Sequence, residues 1–264
     1  MIDSAPRPSL GTLALPSLRG EGDRVVWPAM FDLADRLPRP WVMIGGQMVI
    51  LHGLLADRSI PRVTKDIDLL FDVRFTLDAF RRAHGVLGSL GYEVDGVSAD
   101  GKAHRYHHPE TGMVIDLLAP DKLGARAAPK LRTPAGRIVS IPGGKTALDD
   151  ARSLAATYGG RSATLYLPGL AAALVVKVKA LIDEPARPGT PSRHIADIAF
   201  LTSLVDDPER LFPGASPATP RFGCLVDCLD DPRHPAWLAL GTPHAEDGFN
   251  AWEILRETSA ATRR

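Results

Sequence analysis

The sequence predicts an α+β protein: an α/β-like N-terminal lobe in which helices and strands alternate, then a mainly helical C-terminal lobe. Short aliphatic runs, "WVMI", "DIDLLFD" and "MVIDLLA", have the length of strands, whereas "PAMFDLADRL" and "TLDAFRRAHGVLGSLG" repeat apolar residues at helical spacing. Past residue 145 the apolar stretches lengthen, as in "LPGLAAALVVKVKALIDE", and strand-like runs give way to helix-like ones. With 264 residues, 45% hydrophobic and 23% charged, the chain is long enough for one large domain or two lobes and lacks the composition of a disordered polymer.

In chain order, residues 1–25 are broken by Pro6, Pro8 and Pro16 and read as a flexible tail, without the charged start and apolar core of a signal peptide. A helix over 28–37 and a buried strand over 41–44 follow. Gly45 and Gly46 then open "GGQMVILHGLL", a helix that starts where the strand ends. After the loop "ADRSIPRVTK" come the strand "DIDLLFD", an amphipathic helix, and strand candidates in "YEV", "HRYHH" and "MVIDLLA", which complete a lobe over 26–145. "APDKLGARAAPKLRTPAGRIVSIPGG" reads as a connection holding one strand, "RIVSI". In the second lobe, 146–264, "KTALDDARSLAATY", "LPGLAAALVVKVKALIDE", "SRHIADIAFLTSLV" and "GFNAWEILRETSA" read as helices. No run approaches the ~20 apolar residues that span a bilayer, so a cytoplasmic protein without membrane contact is expected. The 31 basic and 31 acidic residues cancel, so any site for a polyanion must be local.

The chemistry concentrates in three aspartates. Side chains alternate along a strand, so Asp66 and Asp68 face the same way while Ile67, Leu69 and Phe71 face the other. Two like charges on one spot repel unless a cation sits with them, and magnesium is commonly held by one or two carboxylates plus substrate phosphates. A half-wet edge strand explains "DID" as well. Asp116, flanked by aliphatics in "MVIDLLA", shifts the balance, because a strand pairing there brings it beside the first two. Three such aspartates can hold two metal ions about 3.5–4 Å apart, the clamp used in phosphoryl-type transfer. Gly45 and Gly46, lacking Cβ atoms, let backbone N–H groups at a helix start approach phosphate oxygens, although a tight turn alone also accounts for them.

The order of an apolar strand, "GG", a helix, "RVTKDIDLLFD" and a later aliphatic-flanked aspartate resembles the nucleotidyltransferase superfamily with the DNA polymerase β type of fold. Within it, "GGQMVILHGL" and the helix "LPGLAAALVVKVKAL" are most similar to the AbiEii and MenT nucleotidyltransferase toxins, over roughly residues 40–205. The resemblance implies a small mixed sheet flanked by helices. It also implies magnesium, or manganese in its place, bound by Asp66, Asp68 and Asp116, and a nucleoside triphosphate (NTP) as substrate. Gly45 and Gly46 would hold the triphosphate, with Arg62, Thr64 and Lys65 beside it, and Asp116 would accept the proton of the attacking hydroxyl. Lys177 would neutralise nucleotide charge. Lys177 and Lys179 lie about 200° apart around a helix, so only one of them can serve. Arg193 and Asp197 match the family's basic and acidic outer positions in "RHIADI", while His194 replaces an inner acid. The acceptor implied is the tRNA 3′ end, and the role that of a toxin countered by an antitoxin. Arg58, Arg62, Lys65, Lys122, Arg126, Lys130 and Arg132 are candidates to line an RNA groove. An antibiotic nucleotidyltransferase and a non-catalytic nucleotide-binding protein are the alternatives.

Other motifs carry less. "PGGKT" lacks the first glycine of a phosphate loop, since position 139 is Val139. His104, His107 and His108 have no partner pattern for zinc, and Cys224 and Cys228 are two thiols where a zinc site needs four ligands. "LVDCLDDPRHP" reads as a solvated acidic turn.

Overall fold

The computed structural model describes residues 7–17, 22–58, 64–74, 76, 78–124, 131–184, 192–212 and 227–261. Two compact units divide the chain: Met1–Met48 with Arg62–Gly169, and Val49–Pro61 with Leu170–Arg264.

The first unit is α+β and holds two sheets. The larger is mixed, built from β2 (Trp41–Ile44), β3 (Asp66–Phe71), β4 (Glu93–Val94), β5 (Arg105–His107), β6 (Val114–Pro120) and β7 (Val139–Ile141). Its strand order is β2-β3-β6-β5-β4, with β7 on the far end of β6. β3 and β6 run parallel at the centre, while β2 and β5 flank them antiparallel. The central strands are apolar because both of their faces are covered: Trp41, Val42, Met43, Ile67, Leu69, Leu70, Phe71, Ile115 and Leu117 are all fully buried. Each such side chain contributes about 1.5–3 kcal/mol relative to exposure.

Helix α1 (Trp27–Arg36) buries Trp27, Met30, Phe31, Leu33 and Ala34 along one stripe. α2 (Gly45–Leu55) starts directly at the end of β2 and runs from the first unit into the second. α3 (Ala79–Ser89) buries Ala79, Phe80, Ala83 and Leu87, and α4 (Gly144–Asp149) is a short cover on the sheet. α4 explains why the face shared by Asp66, Asp68 and Leu70 is half-open at the acids and closed at the leucine. A Cβ on Gly144 would lie 2.7 Å from the Cα of Pro120 and 3.3 Å from Leu70, so α4 seats against that end of the strands.

The smaller sheet has the order β1-β8-β9 and corrects two expectations. Within the segment read as a flexible tail, Ser9–Ala14 forms β1, parallel to β8 (Ala151–Tyr158). Leu15 N–H donates to Thr157 O and Trp27 Nε1–H to Pro16 O, so the segment is anchored on both sides of Pro16. "ARSLAATY" is β8, not the continuation of a helix. Gly159 and Gly160, both at positive φ, turn it into β9 (Arg161–Pro168), and eight paired positions run from Ala151↔Pro168 to Tyr158↔Arg161. The first compact unit accordingly ends at Gly169, after this hairpin, rather than at 145.

In the second unit the described residues are helical: the rest of α2, α5 (Leu170–Asp183), α6 (Arg193–Thr202), α7 (Pro208–Leu211), a 3-10 turn at Asp227–Asp230, α8 (Pro235–Leu238) and α9 (His244–Ala261). α5 buries nearly its whole circumference from Ala172 to Val178. α6 begins at Ser192, whose hydroxyl accepts from Ile195 N–H as an N-cap. Gly53 lets Phe200 approach α2, since a Cβ there would fall 2.7 Å from the ring. Trp237 and Trp252 are fully buried, their Nε1–H groups donating to Leu229 O and Asp230 Oδ1. Arg256 adds an ion pair to Asp230 at 2.9 Å, so the acidic turn read as solvated surface in fact anchors α9. Among the described residues no helix is long and apolar enough to cross a membrane.

Candidate active site

One cross-strand row carries the site. Ile44 on β2 pairs with Asp68 on β3, Asp68 with Asp116 on β6, and Asp116 with Arg105 on β5. Neighbours along such a row share a face of the sheet, so two acids and a guanidinium stand side by side, with Asp66 two residues along β3 from Asp68. Aliphatic neighbours fix the register. A slip of one residue would place Ile67 and Ile115 on the acidic face and bury the carboxylates.

Gly45 closes the row at the start of α2. Its φ is +70°, and a Cβ there would lie 1.7 Å from Asp68 Oδ2. This position therefore requires glycine twice over, by backbone conformation and by the closeness of the carboxylate. The positive end of a helix favours a negative group beside it, which suits Asp68 now and a phosphate equally. Gly46 is buried in the same first turn. Thr64 holds the entry to β3: its hydroxyl accepts from Asp66 N–H at 3.2 Å, and its carbonyl accepts from Gln47 Nε2 at 2.7 Å. Lys65, half-buried, accepts Val114 N–H on its carbonyl. Thr64 thus ties the entry of β3 to α2, and Lys65 secures the β3–β6 junction that sets the acids.

Arg105 is the residue that the sequence reading missed. Its Nε donates to Asp116 Oδ1 at 2.9 Å and its Nη2 to Asp116 Oδ2 at 2.7 Å, a two-pronged fork onto a carboxylate only 6% exposed. The hydrogen bonds to Asp116 raise the Arg105 pKa above its ordinary value, and the charges of Asp116, Asp66 and Asp68 add to the effect. His104, next in the chain, is pushed below its ordinary value mainly by burial. The signal for Arg105 was present: "HRYHHPETGMVID" is a hairpin whose register places Arg105 opposite Asp116.

The donor set suits magnesium in part. Asp66 and Asp68 offer hard carboxylate oxygens on a half-open face beside a helix start, which fits an ion that takes one or two carboxylates and completes its shell from water and phosphate. The expectation that Asp116 joins them in a three-acid clamp meets the Arg105 fork, which engages both of its oxygens. Among the described residues no three carboxylate, histidine or cysteine side chains are grouped so as to hold a metal ion together.

Of the remaining predicted residues, Lys122 and Arg132 lie in the first unit, and the others lie in the second unit or outside the described residues. Lys177 on α5 is 3% exposed and donates to Asp197 Oδ2 on α6 at 2.8 Å, so its charge is neutralised by a buried carboxylate. Asp197 pairs with Lys177, and Arg193 faces Glu184 at 3.5 Å instead of its neighbour four residues on. His194 is buried on the first turn of α6 with Nε2 3.4 Å from Glu184. Arg58 Nη2 reaches Ser203 Oγ at 3.4 Å within the same unit. Arg62, Arg126, Lys130 and Cys224 lie outside the described residues.

No protein-family model matches this sequence, and no curated protein sequence does. Among solved structures the chain is similar to the solution structure of the antibiotic-resistance factor ANT(2'')-Ia, at 16% identity over 70% of this chain and 85% of that one, with a TM-score of 0.41. It is also similar to the crystal structure of an antigenic nucleotidyltransferase-like protein from Paracoccidioides brasiliensis, at 18% identity over 86% of this chain and 93% of that one, with a TM-score of 0.43. At these values the chemistry of the site rests on its own residues.

Proposed function

We propose that this protein transfers a nucleoside monophosphate from an NTP to an acceptor hydroxyl, with Asp66 and Asp68 holding magnesium and the start of α2 receiving phosphate. The observation that carries the reading is the meeting of Gly45 and Asp68. A helix start and a half-open pair of carboxylates share one spot, which suits a ligand combining phosphates with a divalent cation. A bound magnesium ion would supply charge neutralisation on the phosphates.

This chain's residues contribute position and electrostatics. Gly45 leaves room for the Asp68 carboxylate beside the first turn of α2, whose N–H groups would receive phosphate oxygens. Thr64 and Gln47 hold the backbone from which Asp66 and Asp68 project. The acceptor oxygen attacks the α-phosphorus, the bond to the α–β bridging oxygen breaks, pyrophosphate leaves, and the acceptor's proton passes to a carboxylate of the acidic row. Lys177 is held by Asp197 within the second unit.

The acceptor proposed is the tRNA 3′ end, and the biological role that of a toxin restrained by an antitoxin. Both are supported by the motif resemblance, and the zero net charge makes local basic residues such as Lys65, Lys122 and Arg132 necessary for RNA. The test is incubation of the full chain with magnesium, each α-labelled NTP in turn, and either total tRNA or a panel of small hydroxylated acceptors. Label in the RNA fraction that disappears in Asp68→Asn supports the reading, and label confined to small molecules would replace tRNA as acceptor. Label in neither, despite measurable NTP binding, favours a non-catalytic binding protein.

A further inference from the structure

We infer that Arg105 fills the place of a second cation in the acidic row, so that the site takes its divalent ion through Asp66 and Asp68 while Asp116 serves as a positioning residue. The inference rests on the proposed magnesium site and departs from the expectation that all three aspartates bind metal.

The geometry comes first. β5, β6 and β3 place Arg105, Asp116 and Asp68 on one row, so the guanidinium is delivered to the acids by strand register rather than by a mobile loop. Two parallel N–H donors match the two carboxylate oxygens at 2.9 Å and 2.7 Å, the geometry in which arginine holds a carboxylate most firmly. A metal ion bound by Asp116 would compete with that fork for the same oxygens.

Asp66, Asp68 and Asp116 together carry three negative charges on one face, and their summed field acts on Arg105. Arginine does not release its proton in a protein, so this built-in cation is permanent.

The fork also has a mechanical role. Asp116 is nearly buried and Arg105 half-exposed, so the pair ties the inner strand β6 to β5 at the level of Asp68. Asp116 thereby holds the position of its neighbour's carboxylate without coordinating the ion.

The test is manganese titration of the full chain, followed by electron paramagnetic resonance, in the presence of a triphosphate whose α–β bridge is a methylene group. The number of ions bound is expected to be the same in the wild type and Asp116→Asn, and lower by one in Asp68→Asn. Arg105→Met is expected to gain one ion, because Asp116 is released, and the gain is expected to vanish in the double variant R105M/D116N. That double variant removes both members of the pair and leaves no buried unpaired charge, so it gives the readout even if Asp116→Asn alone fails to fold. Loss of one ion in Asp116→Asn or in the double variant overturns the inference while leaving the proposed magnesium site standing. An ion count indifferent to Asp68→Asn overturns the magnesium site itself, and the inference with it.

Discussion

Gly45 and Asp68 stand so close that a Cβ on the glycine would lie 1.7 Å from Oδ2 of the carboxylate. The contact joins the first turn of α2 to the middle of β3, and it makes the glycine answer to the acid as well as to any phosphate. Gly45→Ala is expected to destabilise the chain by about 1–3 kcal/mol, through strain at φ +70° and displacement of Asp68, and to abolish manganese binding. Urea unfolding read beside manganese titration checks both; an unchanged midpoint with intact binding would mean that the two groups are farther apart than described.

Lys177 and Asp197 form an ion pair whose side chains are 4% and 2% exposed. Lys177→Met removes the cation that faces a buried carboxylate and is expected to cost about 3–5 kcal/mol. The double variant K177M/D197L removes both charges, and its cost is expected to fall below the sum of the two single variants by about 1–3 kcal/mol. A double-mutant cycle in denaturant measures the coupling, and simple additivity would contradict it.

His194 gives stability a pH dependence. Burial, and then the charge of Lys177, hold its imidazole below the ordinary value, with Glu184 opposing. The unfolded chain takes up the proton near about pH 6.5, whereas the folded chain takes it up only at lower pH. Between those points the unfolded state binds more protons, so this contribution is fully present above about pH 6.5 and is lost as the pH falls through the lowered value. Thermal unfolding followed from neutral to about pH 5.5 is expected to show a falling melting temperature, less steeply in His194→Gln. Identical slopes would assign the loss to other groups.

Asp230 accepts from Trp252 Nε1 at 2.8 Å and pairs with Arg256. Asp230→Ala is expected to cost about 1–3 kcal/mol, and Asp230→Asn less, because the amide oxygen still receives the indole N–H. Comparison of the two by urea unfolding separates the neutral hydrogen bond from the ion pair.

The elements legible in the sequence are those whose pattern is local. β2, β3 and β6 announce themselves as aliphatic runs, and the acids interrupting the latter two mark the face that stays half-open. The sequence also supports a strand pairing that brings Asp116 beside Asp66 and Asp68; the parallel register that sets it opposite Asp68 is seen only in the fold. β1 was hidden because "SLGTLA" pairs with residues some 140 positions away and leaves most of its side chains exposed, so no periodicity marks it. The alanines and leucine of β8 favour a helix, although "YGGR" after it is a hairpin signal.

The site was legible as a set of acids but not as a charge-balanced group. Arg105 could be found only by carrying the hairpin register of "HRYHHPETGMVID" through to its paired residues. The three histidines drew attention to metal chemistry instead. Lys177 and Asp197, on helices separated by a proline-rich stretch, gave no sign of pairing, because helix packing is not written in local spacing.

The central claim, transfer at the α-phosphate through Asp66 and Asp68, is tested most directly by which phosphate product leaves. The full chain, magnesium, an NTP and acceptor RNA are expected to release pyrophosphate in step with label incorporation, and Asp68→Asn to lower that release at least ~100-fold. Release of orthophosphate in place of pyrophosphate, or pyrophosphate release undiminished in Asp68→Asn, would contradict it.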